Sequence, residues 1–161
     1  MSDARFEDGA EAPLNLGAMD AEDLTVISTL AQDAVCLASD MTFRRKQRRF
    51  AILINRFRWE DAEGARRRQR DFERVRSVLA VDNVLQVQSQ GIPRGDKETV
   101  LSLLSVGFEP AEDGAGTVLL TFAGDGAIRL EVEALEARLR DVTRPYGAPS
   151  GQAPRHPLDD I

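Results

Sequence analysis

Residues able to do chemistry are scarce in this chain. One cysteine (Cys36) and one histidine (His156) occur in 161 residues, alongside a single Trp and a single Tyr. A lone cysteine has no internal disulfide partner, and no metal-type Cys spacing exists, which points to a reducing compartment. Zinc sites of nitrogen and sulfur ligands need more of both residues than the chain holds. Ser-His-Asp and Cys-His catalysis need an oriented imidazole, and His156 falls in a Pro-rich tail unsuited to holding one. Cys36, between Val35 and Leu37, reads as a small buried apolar residue. Gly114-Ala115-Gly116 and Gly124-Asp125-Gly126 lie between strand-like segments rather than opening a helix, so neither forms a phosphate cradle or a dinucleotide fingerprint. No motif calls for a cofactor. No apolar run approaches the ~20 residues of a spanning helix, and Met1–Glu11 is acidic, without the basic and apolar regions of a signal peptide. The expectation is a soluble, cytoplasmic chain.

What the sequence has in quantity is charge, unevenly placed. Of 21 Lys and Arg, 13 fall between Arg44 and Arg76, with only five acids among them, so this window carries +8 and the rest of the chain −14. A concentrated positive field attracts phosphates or acidic surfaces. Two clusters stand out: Arg44, Arg45, Arg48 and Arg49 in a predicted hairpin turn, and Arg66, Arg67, Arg68 and Arg70 in a following loop. Phe43, Phe50, Phe57, Trp59 and Phe72 interleave with them, as in single-strand binders. Strand alternation turns most of these rings to the core, however, and a pI of about 4.9 is unlike that of a nucleic-acid domain. The partner classes left open are an acidic protein surface, an anionic ligand, a nucleic acid and a second copy of the chain; the bland alternative is a solvated surface.

Periodicity gives the architecture. Asp20–Val35 has helical spacing at Leu24, Ile27, Ala31 and Ala34, with Asp20 as N-cap. Period-two segments follow at Val35–Phe43, Arg49–Trp59, Val75–Val81, Val84–Ile92, Val100–Phe108 and Gly116–Ala123, then around Ile128–Val132. Glu60–Glu73 has no apolar period and reads as a long loop or a frayed helix. Gly91–Asp96 is a loop, and Leu135–Val142 has helical spacing at Leu135, Leu139 and Val142. Residues 1–13 and the Pro/Gly-rich 144–161 read as loose ends around one domain over 14–143. The predicted fold is α+β and mainly antiparallel: about seven strands closing into a barrel, with an N-terminal helix and a C-terminal helix that plugs one end. The paired segments Ser77–Val81 and Val84–Gln88, and a last hairpin leading into a helix, resemble the pleckstrin-homology-like barrel.

Asp20–Leu24 with Val26-Ile27-Ser28, Gln32–Val35, Arg48-Arg49-Phe50, Asn55–Glu60, Phe122-Ala123-Gly124 and Ala127–Glu133 together resemble an uncharacterised alphaproteobacterial family, a domain of unknown function. The resemblance covers about Leu14 to Val142 and implies no activity and no catalytic residue. It draws the eye to Asn55, Arg56 and Arg58, unusually polar for a central strand. A buried Asn55 needs partners, so a bulge or sheet edge beside a pocket is expected there.

Two functional readings result. The first is a non-enzymatic binding or adaptor module using Arg44, Arg45, Arg48, Arg49, Asn55, Arg56, Arg58, Arg66, Arg67 and Arg68. The second is a small enzyme in which Glu131, Glu133 and Glu136 converge for acid/base chemistry. A structural homodimer stands beside them, signalled by an exposed apolar patch.

Overall fold

A computed structural model describes residues 12–92 and 98–147. These residues form eleven strands: β1 (Asn15–Ala18), β2 (Ala34–Leu37), β3 (Met41–Arg44), β4 (Arg49–Phe57), β5 (Glu73–Val81), β6 (Val84–Gln90), β7 (Val100–Pro110), β8 (Gly116–Phe122), β9 (Gly126–Val132), β10 (Ala137–Asp141) and β11 (Tyr146–Gly147). Two α-helices accompany them, α1 (Ala21–Ala31) and α2 (Trp59–Arg67). All the strands join one open antiparallel sheet in the order β1-β10-β5-β4-β2-β7-β8-β9-β6, with β11 beside β5 and β3 beside β4.

The seven-stranded barrel with a helix at each end is therefore incorrect. The sheet curls without closing: among the described residues β1 and β6 end its main strand order, and between β6 and the β3–β4 hairpin one backbone bond, Val84 N–H to the Arg48 carbonyl at 2.8 Å, stands where a ladder would be. The expected closing helix is absent too. Leu135–Val142 contains β10, where Ala137 and Leu139 are buried and Arg138 and Arg140 exposed. Leu135, Leu139 and Val142 satisfy a helical spacing, but the alternation of Arg138 and Arg140 with apolar neighbours is the period that prevailed. Pairing with β5 gives β10 its hydrogen bonds, from Ala137↔Val81 to Asp141↔Ser77.

Glu60–Glu73, by contrast, holds a true helix. The predicted strand Val35–Phe43 divides into β2 and β3 around a 3-10 turn at Ala38–Asp40, where the Leu37 N–H donates to the Asp40 carboxylate at 2.9 Å. At α1, Asp20 is the N-cap, accepting the Asp23 N–H at 2.8 Å, and Leu24, Ile27 and Ala31 face the core. Ser28 Oγ accepts the Val106 N–H at 2.9 Å, tying α1 to β7. Of the segments read as loose ends and loops, residues 1–11, 93–97 and 148–161 lie outside those described, and His156 with them.

The core lies on the inner face of the curl. Phe50, Ile52 and Ile54 of β4, Leu79 and Val81 of β5, and Val118, Leu120 and Phe122 of β8 form one core cluster there with Leu24, Ile27 and Ala31 of α1. Alternation then fixes the opposite face: Ala51, Leu53 and Asn55 of β4 look outward with Arg74, Arg76, Val78 and Ala80 of β5.

Candidate functional site

The sheet sorts its arginines into two populations. Arg56 follows Ile52 and Ile54 on the inner face of β4 and is fully buried. Its guanidinium donates to both carboxylate oxygens of Glu60 at 2.9 and 2.8 Å, to Asp141 at 3.0 Å and to Ser77 Oγ at 3.0 Å. Ser77 Oγ in turn donates to Asp141 at 2.7 Å. Burial works against the Arg56 charge, but Glu60 and then Asp141 outweigh it and hold its pKa above the usual arginine value. Arg58 is nearly as buried and pairs with Glu73 at 2.6 Å. Arg70 makes a two-pronged pair with Asp61 at 2.5 and 2.7 Å. These pairs clamp α2 to the ends of β4, β5 and β10. Arg56 and Arg58, both candidates from sequence, are thus engaged with acids inside the fold.

The outer face differs. Strand register places Arg76 beside Asn55, Arg140 beside Val78, Arg138 beside Ala80, and Arg74 beside Phe57. Arg44 stands at the end of β3, opposite Arg49. Among the described residues, none of Arg44, Arg74, Arg76, Arg138 and Arg140 forms an ion pair with a carboxylate. Arg138 donates to the Asn15 side-chain oxygen at 2.7 Å. Arg74 donates to the Asn55 carbonyl at 3.1 Å and to its side-chain oxygen at 3.4 Å. Burial pushes the Arg74 guanidinium below the usual arginine value, against the pull of Tyr146 and Asp33. Between these cations lie the half-exposed Ala51, Leu53, Val78 and Ala80.

Asn55 sits where the sequence suggested a pocket beside a sheet irregularity. β2 meets β4 at Val35↔Asn55, whereas β3 takes over from Met41↔Ile52. A cavity of about 220 Å³ opens there, lined by Val35, Leu37, Asp40, Leu53, Asn55 and Arg76 among others. The Asn55 side-chain amide donates to the Tyr146 hydroxyl at 2.5 Å. Tyr146 comes from β11, so the segment beyond β10 helps to build this corner.

The remaining candidates scatter. Arg48 pairs with Glu133 at 2.7 Å and Arg49 with Asp82 at 2.6 Å; Arg45 stacks over Phe43, 6.0 Å from its centroid. Arg66 lies over Phe72 at 5.9 Å, Arg67 pairs with Glu63 at 2.6 Å, and Arg68 is exposed at the C-cap of α2. The hairpin cluster and the α2 cluster occupy opposite ends of β4, about 26 Å apart at the usual strand rise, and do not converge. Glu131, Glu133 and Glu136 are all exposed and form no shared pocket.

Arg74, Arg76, Arg138 and Arg140 were missed by sequence reasoning. Arg74 and Arg76 alternate with Val75 and Ser77 and were legible as an outward strand face. Arg138 and Arg140 were hidden by the helical reading of their segment. Only the register of β10 against β5 brings them beside Val78 and Ala80.

Among the described residues no helix is long and apolar enough to cross a membrane. No curated protein and no solved structure matches the chain. A family model, described as "Protein of unknown function (DUF2948)", matches residues 14–156. That span takes in every described strand and both helices, and the chain belongs to this family.

Proposed function

We propose that the chain is a non-enzymatic binding module of the cytoplasm, whose outer face over β3, β4, β5 and β10 docks an acidic protein surface. One observation carries this reading: Arg44, Arg74, Arg76, Arg138 and Arg140 share that face without an ion pair among the described residues, while inner-face Arg56 is paired with acids. A fold using arginine only for stability has reason to pair it. Guanidinium forks around a half-exposed aliphatic strip offer two-pronged contacts to carboxylates and apolar contact between them. Asn55 and the cavity beside it extend the face. Arg48 and Arg49 border it with their charges already engaged.

Affinity capture from a bacterial lysate, with nuclease and salt controls, tests the reading. The bait proteins are the native chain, the triple variant Arg76→Glu/Arg138→Glu/Arg140→Glu, and a far-end control, Arg66→Glu/Arg67→Glu/Arg68→Glu. A partner held by the native chain and the far-end control, released by salt and lost from the triple variant, is the expected result. Equal retention by the triple variant overturns the docking face. Release by nuclease overturns the acidic-protein partner in favour of nucleic acid.

A further inference from the structure

A second surface lies at the opposite edge of the sheet. Among the described residues β6 pairs with β9 alone, and Val84 supplies its one backbone N–H bond outside that ladder. Edge strands of folded proteins are usually blunted by charge, proline or a covering element. The seven residues of β6, Val-Leu-Gln-Val-Gln-Ser-Gln, carry no charge and no proline, in a chain of which 30% is charged. Leu85 is 52% exposed on it. Facing this edge across a groove of about 400 Å³ are Phe43 and Arg45 of the hairpin, opposite Leu85, Gln86 and Val87. Among the described residues β3 is itself an edge, paired only with β4. Two strand edges therefore flank one groove, with a half-buried ring and valine toward the core.

We propose that this groove takes an extended acidic-apolar segment of a partner protein, which adds to β6 as a further strand. The edge of β6 supplies the backbone hydrogen bonds and Phe43, Leu85 and Val87 the apolar contacts, the usual division of labour in strand addition. The hairpin fixes the sign of the partner's charge. Among the described residues Arg44, Arg45 and Lys46 have no ion pair, so acids alternating with the apolar positions face cations. The Val84 N–H is bonded to the Arg48 carbonyl, so the hairpin stands against the start of β6 and the open stretch of the edge begins after Val84.

The probe is an acetylated, amidated heptapeptide of alternating valine and glutamate, titrated into the full chain by isothermal titration calorimetry. The controls are the same peptide N-methylated at alternate backbone nitrogens and its valine–lysine counterpart. The expected result is saturable binding with a Kd of about 0.1 mM or tighter. Loss of at least about tenfold in affinity is expected on N-methylation, on replacing glutamate by lysine, and in the variants Leu85→Lys and Arg45→Glu. Both side chains are exposed, so these variants keep the fold, and circular dichroism verifies it. The Arg76→Glu/Arg138→Glu/Arg140→Glu variant should bind the peptide unchanged, which separates this groove from the docking face proposed above. Failure to saturate by about 1 mM, equal binding of the N-methylated peptide, or a dimer in sedimentation that Leu85→Lys dissolves overturns the proposal.

Discussion

Arg56 and Asp141 stand 85 positions apart in the chain and meet inside it at 3.0 Å, the arginine side chain 0% exposed and the aspartate 5%. Asp141 is the last residue of β10, and its other carboxylate oxygen accepts the Leu14 N–H at 2.9 Å. One carboxylate therefore ties β4, β5, β10 and the entry to β1 together, through Arg56, Ser77 and Leu14. Glu60, on the first turn of α2, occupies the other side of the same guanidinium.

Removing one member of that pair leaves the other charged and dry. Arg56→Met is expected to cost about 3–5 kcal/mol, because Asp141 loses its counter-charge without gaining water. Arg56→Met/Asp141→Leu should recover much of this loss, since an apolar pair of similar volume carries no desolvation cost. Glu60, 29% exposed at its side chain, can hydrate in both variants. Urea midpoints at an unchanged m-value measure the two changes; a single variant as stable as the native chain refutes the account.

How far the sequence revealed these arrangements depends on the range of the interactions. The alternation Phe50, Ile52, Ile54, Arg56 is enough by itself to place Arg56 on the inward face, and Asp20 as the cap of α1 is equally local. Neither says that Asp141 is the partner, because that depends on β10 lying against β5. Leu135–Val142 satisfies helical and strand periods at once, and the choice between them is made by an unpaired edge of β5 that a local pattern does not contain. The expected barrel failed similarly. Strand number and closure depend on how short pieces such as β1, β2 and β3 share the edges of longer strands. The division of arginines into paired and unpaired sets is likewise a property of register, invisible to a count of +8.

Asp61 is a second carboxylate with a defined task, holding Arg70 after the chain leaves α2. The hydrogen bond from Arg70 is the main reason its pKa lies below the usual aspartate value; burial opposes the shift, and the charges of Arg70 and Arg58 add to it. A carboxylate whose pKa is depressed in the folded state stabilises fully above its unfolded value near 4, and that stabilisation is lost as pH falls through the lower folded value. The native chain should therefore lose stability below about pH 4, and Asp61→Asn should lose less over the same interval. Urea melts of both proteins at neutral pH and across the acid range test this, and parallel pH profiles would exclude a role for Asp61.

The thiol of Cys36 should be inert in the folded protein. Burial, assisted by the negative charge of Asp40, pushes its pKa up to about 12, and the side chain lies inside β2 with 4% exposure for the residue. At pH 8 the thiolate fraction is then about one part in ten thousand. Iodoacetamide should label the native chain negligibly over the time in which it labels the urea-unfolded chain completely, with mass spectrometry reading the adduct. Rapid native labelling would show that β2 opens at the cavity beside Asn55.

The outer arginines give the sharpest contrast between folding and function. Arg76, Arg138 and Arg140 are exposed, and none has an acid within ion-pairing distance among the described residues. Like charges gathered on one face repel, and an exposed side chain outside a packing or pairing role contributes little to stability. Arg76→Gln/Arg138→Gln/Arg140→Gln should therefore leave the urea midpoint within about 0.5 kcal/mol of native or raise it, with the gain larger at low salt, where repulsion is less screened. The substitution Arg56→Met moves stability sharply the other way, although both changes remove arginine from neighbouring strands of one sheet. A marked loss of stability in the triple variant would mean that these side chains serve the fold, and it would withdraw the argument that they are kept for a partner.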